Sequence, residues 1–128
     1  MPQNEILCAK SHEFVYKKDN VFYIGVTDIL INKLGKILAV EMPETGEIYT
    51  KGEIFGFLES QEAACELFMP VTGKIEAVNT SIIEAPSKMN TNSIEENWLI
   101  IISTDYFNED KKDLICYNRY KSENLISN

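Results

Sequence analysis

The sequence is poor in the residues that build metal centres. It holds one histidine, His12, and three cysteines, Cys8, Cys65 and Cys116, widely spaced and without a C-x-x-C pair. That excludes a zinc-ligand pattern and a disulfide framework, and the thiols read as small packing residues in a reducing compartment. No apolar run approaches the ~20 residues that a membrane helix needs. The opening stretch, MPQNEILCAKSHEF, has neither the apolar core of a signal peptide nor the Arg-rich pattern of a transit peptide, so a cytoplasmic chain is expected. Basic residues are outnumbered, 12 against 20 acidic ones, giving a net charge of −8. Phosphate binding draws on clustered Lys and Arg, so neither nucleic acid nor an anionic membrane is an expected partner. An acidic surface suits solubility or a basic protein partner. No internal repeat and no low-complexity segment is present.

At 128 residues, 45% hydrophobic and 25% charged, the chain fits one soluble domain spanning residues 1–128. Residues 12–18 and 20–26 are rich in aromatic and β-branched side chains around an Asp19-Asn20 turn signal, which predicts a hairpin. Thr27 is placed to cap a short helix over 28–34, with Leu30, Ile31 and Leu34 on one face and Gly35 as its stop. A strand is expected over 36–42, ended by Pro43. Residues 79–97 read as a long polar loop broken by Pro86, and 98–103 (WLIIIS) as a strand buried on both faces. A second helix is predicted over 104–120, with acidic residues early and Arg119 late, and residues 121–128 as a frayed tail.

The chain is organised around residues 53–79. Two apolar-rich strands, 54–58 and 67–71, flank a polar tip at Ser60–Glu62, and a third strand over 74–78 follows a Thr72-Gly73 turn. A hairpin pushes its tip away from the sheet, so Glu62 is expected to stand in solvent, within reach of other proteins. Many short strands with one small inserted helix and a C-terminal helix give a mainly β fold, a sandwich or flattened barrel.

The tip reads Glu59-Ser60-Gln61-Glu62-Ala63, which resembles the E-S-x-K-A tip of the glycine cleavage system H protein family. The resemblance runs through Ser11-His12-Glu13, Gly25–Asp28, Leu34-Gly35, Pro43, Gly46, Lys51-Gly52, Phe55-Gly56, Pro70-Val71, Gly73, Asn79 and Trp98-Leu99. It implies the lipoyl-domain-like barrel-sandwich hybrid fold. It further implies a monomeric, non-enzymatic carrier whose tip lysine, acylated by lipoate, visits a decarboxylase, an aminomethyltransferase and a lipoamide dehydrogenase. Glu59 and Gly73 match positions typical of the family around that lysine, as lipoylation-recognition residues. Ser11, Glu13 and Glu66 match a cleft that shelters the aminomethylated arm.

Glu62 stands where the family has its lysine. A carboxylate is not an amine, so no lipoyl amide forms there by the same reaction, and Lys51 and Lys74 lie outside the tip. The chain as written is therefore expected to carry no lipoate. Three readings stay open. One is a lipoate-free relative that binds or regulates glycine cleavage or lipoate-handling enzymes. Another is a Lys-to-Glu variant of a working shuttle. The third is a small-amine-binding or enzymatic domain using the acidic cleft, although the sequence offers no catalytic nucleophile–base pair and no metal set. Cys65, three residues from Glu62, has Glu62 and Glu66 nearby to raise its pKa and so reads as a packing residue. His12 reads as a structural hydrogen-bonder and Trp98 as core.

Overall fold

The computed structural model describes residues 5–126, with side chains to 124. Strands β1 (Leu7–Cys8), β2 (Glu13–Lys18) and β3 (Val21–Val26) lead into helix α1 (Asp28–Leu34), followed by β4 (Ile37–Glu41), β5 (Ile48–Tyr49), β6 (Ile54–Ser60), β7 (Ala64–Phe68) and β8 (Gly73–Val78). Helix α2 (Thr80–Glu84), β9 (Trp98–Ser103), α3 (Phe107–Asp110), β10 (Ile115–Cys116) and α4 (Tyr117–Ile126) complete the chain. Two antiparallel sheets form, one of seven strands in the order β10-β1-β2-β3-β9-β8-β5 and one of three in the order β4-β6-β7. The expected sandwich is thus present as two open sheets, and among the described residues no barrel closes. No described helix is long and apolar enough to cross a membrane.

Alternation decides which face each strand buries. Val15, Ile24, Ile100 and Ile102 from the large sheet meet Leu58 and Leu67 from the small one, and α1 adds Leu30, Ile31 and Leu34. The opposite face of the large sheet carries Phe14 and Tyr16, covered by Tyr117 and Tyr120 of α4. Trp98 packs half-buried against this second cluster, edge-on to Tyr23. Helix α1 forms as its residues predict: Thr27 Oγ1 accepts from the Leu30 N–H, and Gly35, at φ 74, donates its N–H to Ile31 O. Asp19 takes φ 57 in the β2–β3 turn, a conformation that Asp tolerates better than most residues.

Three expectations are corrected. Residues 79–97 are not a plain loop: α2 and short 3₁₀ turns at Pro86–Asn90 and Glu95–Asn97 fill it, burying Ile82 and Met89. The single helix expected over 104–120 breaks into α3, a 3₁₀ turn at Lys111–Asp113, β10 and α4. Long-range bonds cause the break. Asp110 accepts the Thr72 N–H (2.8 Å), Lys51 Nζ donates to Asp110 O (2.7 Å), and β10 pairs with β1 through Leu7↔Cys116. Residues 121–126 are not a tail but the body of α4, with Arg119 and Glu123 paired one turn apart (2.9 Å). Ser127 and Asn128 lie outside the described residues.

Candidate functional site: a hairpin tip and the cleft beside it

The central hairpin differs from its predicted bounds because its turn is tight. β6 runs two residues further than expected, to Ser60, and β7 begins at Ala64 and ends at Phe68, before Pro70, which has no N–H for a ladder. Ser60 closes the turn. Its N–H donates to Ala63 O (2.9 Å) and its hydroxyl donates to the same oxygen (3.0 Å). That hydroxyl oxygen also accepts the N–H groups of Glu62 (3.2 Å) and Ala63 (3.1 Å). The Gln61 N–H donates to Lys36 O (3.1 Å), tying the tip to the start of β4. Neither Gln61 nor Glu62 needs a positive φ, because a side chain does the work of a glycine turn. Glu62 is exposed, as the sequence predicts. We expect Ser60→Ala to cost about 1–2 kcal/mol and to speed amide exchange at Glu62 and Ala63. Unchanged exchange there would show that the hydroxyl does not hold the turn.

Glu59, exposed, lies in this hairpin opposite Ala64. Gly73 does not join it: Gly73 opens β8 in the other sheet, opposite Tyr49. An added Cβ at Gly73 would lie 2.6 Å from Ile102 Cδ1 and 2.8 Å from Ser103 O, so β8 and β9 pack too closely for any side chain.

Ser11 and Glu13 meet directly, the Ser11 hydroxyl donating to Glu13 Oε1. Glu13 is fully buried, and its other oxygen accepts the Phe68 N–H (2.9 Å), joining β2 to the base of the hairpin. Burial pushes its carboxyl pKa up, opposed by the hydrogen bonds from Phe68, Ser11 and its own N–H. Glu66 is exposed on β7 and makes no hydrogen bond to either residue among those described. Beside Ser11 lies an open cleft of ≈ 390 Å³, lined by Ser11, Lys51, Gly52, Phe68, Met69 and Asp113 among others. Lys51 is paired with Asp113, and a second lysine, Lys10, also lines the cleft. Cys65 is half-buried and its thiol pKa is raised, by burial first and then by Glu13 and Glu66, so it is a poor nucleophile. Burial pushes the Cys8 thiol further, to about 12.

His12 is the structural hydrogen-bonder that the sequence predicts, within a polar network whose aromatic partners sequence reasoning missed. His12, at φ 80, donates its N–H to Ala9 O and accepts the Thr27 N–H on its carbonyl. Its Nδ1 meets Tyr120 Oη, which also lies 2.6 Å from Thr27 Oγ1. Tyr117 Oη donates to both oxygens of Asp28 (2.8 and 2.7 Å). The only sequence hint was the His12-Glu13 pair; nothing local marks Tyr120 as its partner.

Burial first, and Lys33 second, lower the His12 pKa from its ordinary 6.5. The folded protein then holds fewer protons than the unfolded chain, so the His12 contribution is full above pH 6.5 and is lost as pH falls through the lowered pKa. Glu13 acts the other way: its contribution is present below its ordinary 4.5 and is lost as pH rises through the raised pKa. Replacing His12 by Asn, which tolerates the left-handed conformation, should therefore flatten the loss of stability between about pH 7 and about pH 5. Denaturant melts at both pH values check this; an unchanged difference would remove His12 as its source.

The family model described as Glycine cleavage H-protein matches residues 6–125. The glycine cleavage system H protein of Anaeromyxobacter sp. (strain K) is 38% identical over 106 residues, 83% of this chain and 80% of that protein. That of Prochlorococcus marinus (strain MIT 9312) is 36% identical over 115 residues, 90% and 88% of the two chains. The crystal structure of a glycine cleavage system H protein from Mycobacterium marinum superposes with a TM-score of 0.85 at 25% identity, covering 97% of this chain and 98% of that one. The chain belongs to the glycine cleavage H-protein family, whose members are lipoyl carriers, not enzymes, and work with the enzymes of the glycine cleavage system.

Proposed function

We propose that this chain is a lipoate-free member of its family, acting through protein–protein contact with glycine cleavage or lipoate-handling enzymes. The observation that carries this reading is Glu62: an exposed carboxylate at the tip of a well-formed hairpin, where an acylated lysine would stand in a carrier. An amide to lipoate needs a nucleophilic amine, and Glu62 has none. The Ser60-held turn and the exposed Glu59 keep the tip presentable to a partner. The cleft fits the same picture. The Ser11–Glu13 pair, which the resemblance assigns to the shelter of a loaded arm, serves here as scaffold: Glu13 is buried with both oxygens hydrogen-bonded and ties β2 to β7.

One observation favours a second reading. The turn geometry is complete without any contribution from the Glu62 side chain, which suits a Lys-to-Glu variant of a functional shuttle. In that case lipoate would sit on a lysine at position 62 and serve the decarboxylase, the aminomethyltransferase and the lipoamide dehydrogenase in turn. Affinity capture with the unmodified chain as bait, from cells that express it, tests the interaction reading. The interaction reading expects enrichment of a glycine cleavage or lipoate-handling enzyme at stoichiometric level. Capture of neither would contradict it.

A further inference from the structure

We propose that the outer face of the three-stranded sheet docks a basic segment of a protein partner, held by a cationic side chain seated on Phe57 between Glu41 and Glu66. The register makes the arrangement. Phe57 of β6 stands directly opposite Glu41 of β4 on one side and Glu66 of β7 on the other, and residues directly opposite in an antiparallel pair share a face. All three are exposed, Phe57 by 41%. The neighbouring row on the same face is Ala39, Glu59 and Ala64, a third carboxylate between two small side chains. The intervening row, Val40, Leu58 and Cys65, turns inward to the core.

A single exposed aromatic ring is ordinary; its surroundings here are not. Neither Glu41 nor Glu66 has an ion-pair partner among the described residues. Phe57 also borders a groove of ≈ 370 Å³ whose lining includes Glu41, Pro43, Glu44, Glu47 and Ile54 and no lysine or arginine. Ile54 is itself 38% exposed, so the groove pairs an apolar floor with an acidic rim.

Electrostatics selects the occupant. Two strand spacings of about 4.8 Å put the Glu41 and Glu66 backbones roughly 10 Å apart astride the ring. A guanidinium or ammonium lying within about 6 Å of the ring centroid thus meets a carboxylate on each side. A second copy of this chain, at net charge −8, brings like charges to the face. A segment that alternates Arg or Lys with an apolar residue matches both the rim and the floor. This inference rests on the interaction reading above and supplies the chemistry of the partner.

The test is titration of the ¹⁵N-labelled full chain with an acetylated, amidated peptide of alternating Arg and Leu, and with the same peptide carrying Glu for Arg. The Arg peptide should shift amides around Glu41, Phe57 and Glu66, and the Glu peptide should shift none. Phe57→Ser should weaken binding about two- to five-fold, the value of an exposed cation–π contact. The isosteric pair Glu41→Gln and Glu66→Gln, which preserves the fold, should weaken it further, and Glu109→Gln on α3 should leave it unchanged. Shifts scattered over the acidic surface, or an affinity that Glu109→Gln lowers as much as Phe57→Ser does, would overturn the proposal. Because the titration uses the unmodified chain, its failure leaves the state of position 62, and so the lipoate-free reading, untouched.

Discussion

Gly73→Ala should lower stability by about 2–3 kcal/mol, seen as a fall in melting temperature of roughly 6–12 °C by circular dichroism. The sequence resemblance casts Gly73 as a recognition residue for lipoylation, but its surroundings give it a packing role. The added methyl would meet the Ile102 side chain at 2.6 Å and the Ser103 carbonyl oxygen at 2.8 Å. Ile102 Cδ1 can turn aside, but Ser103 O is backbone and belongs to the β8–β9 ladder through Lys74↔Ser103. Relief therefore requires β8 to move off β9, and Ile75, which is buried between the sheets, moves with it. A variant that melts like the parent would mean the two strands separate more easily than their packing implies.

Glu62→Lys should convert the chain into a substrate for a lipoate ligase, from no detectable modification to near-complete modification in vitro. The expectation follows from what already holds the tip. Ser60 orders the turn from within, Gln61 is tied to Lys36 O, and Glu62 contributes only its backbone N–H. A lysine there places a flexible amine in solvent without disturbing a contact. Intact-mass measurement after incubation with ligase, ATP and lipoate reads the outcome. A variant that keeps its circular dichroism spectrum but stays unmodified would show that the hairpin has diverged beyond its acceptor residue.

Elements whose signals are local were legible in the sequence. The β2–β3 hairpin, α1 between Thr27 and Gly35, and β9 all follow from caps, turns and periodicity within a few residues. The C-terminal third was not, because its shape is set at a distance: Asp110, at the end of α3, and Asp113 bond to Thr72 and Lys51 where a single long helix would have continued, and β10 exists only because β1 lies beside it. The two-residue strands β1, β5 and β10 carry no pattern long enough to read. At the site, exposure of Glu62 followed from hairpin geometry alone. The Ser11–Glu13 contact was visible only through family resemblance, and the Tyr120 link to His12 spans 108 positions that no spacing rule connects.

The most direct measurement is peptide mass spectrometry of residues 52–74 from protein isolated from its native cells. It reports the residue at position 62 and anything attached to it. A lipoate-free chain gives an unmodified glutamate flanked by an unmodified tip. A lipoylated lysine in that peptide would contradict that reading, and would make the native protein a carrier of which this sequence is a variant.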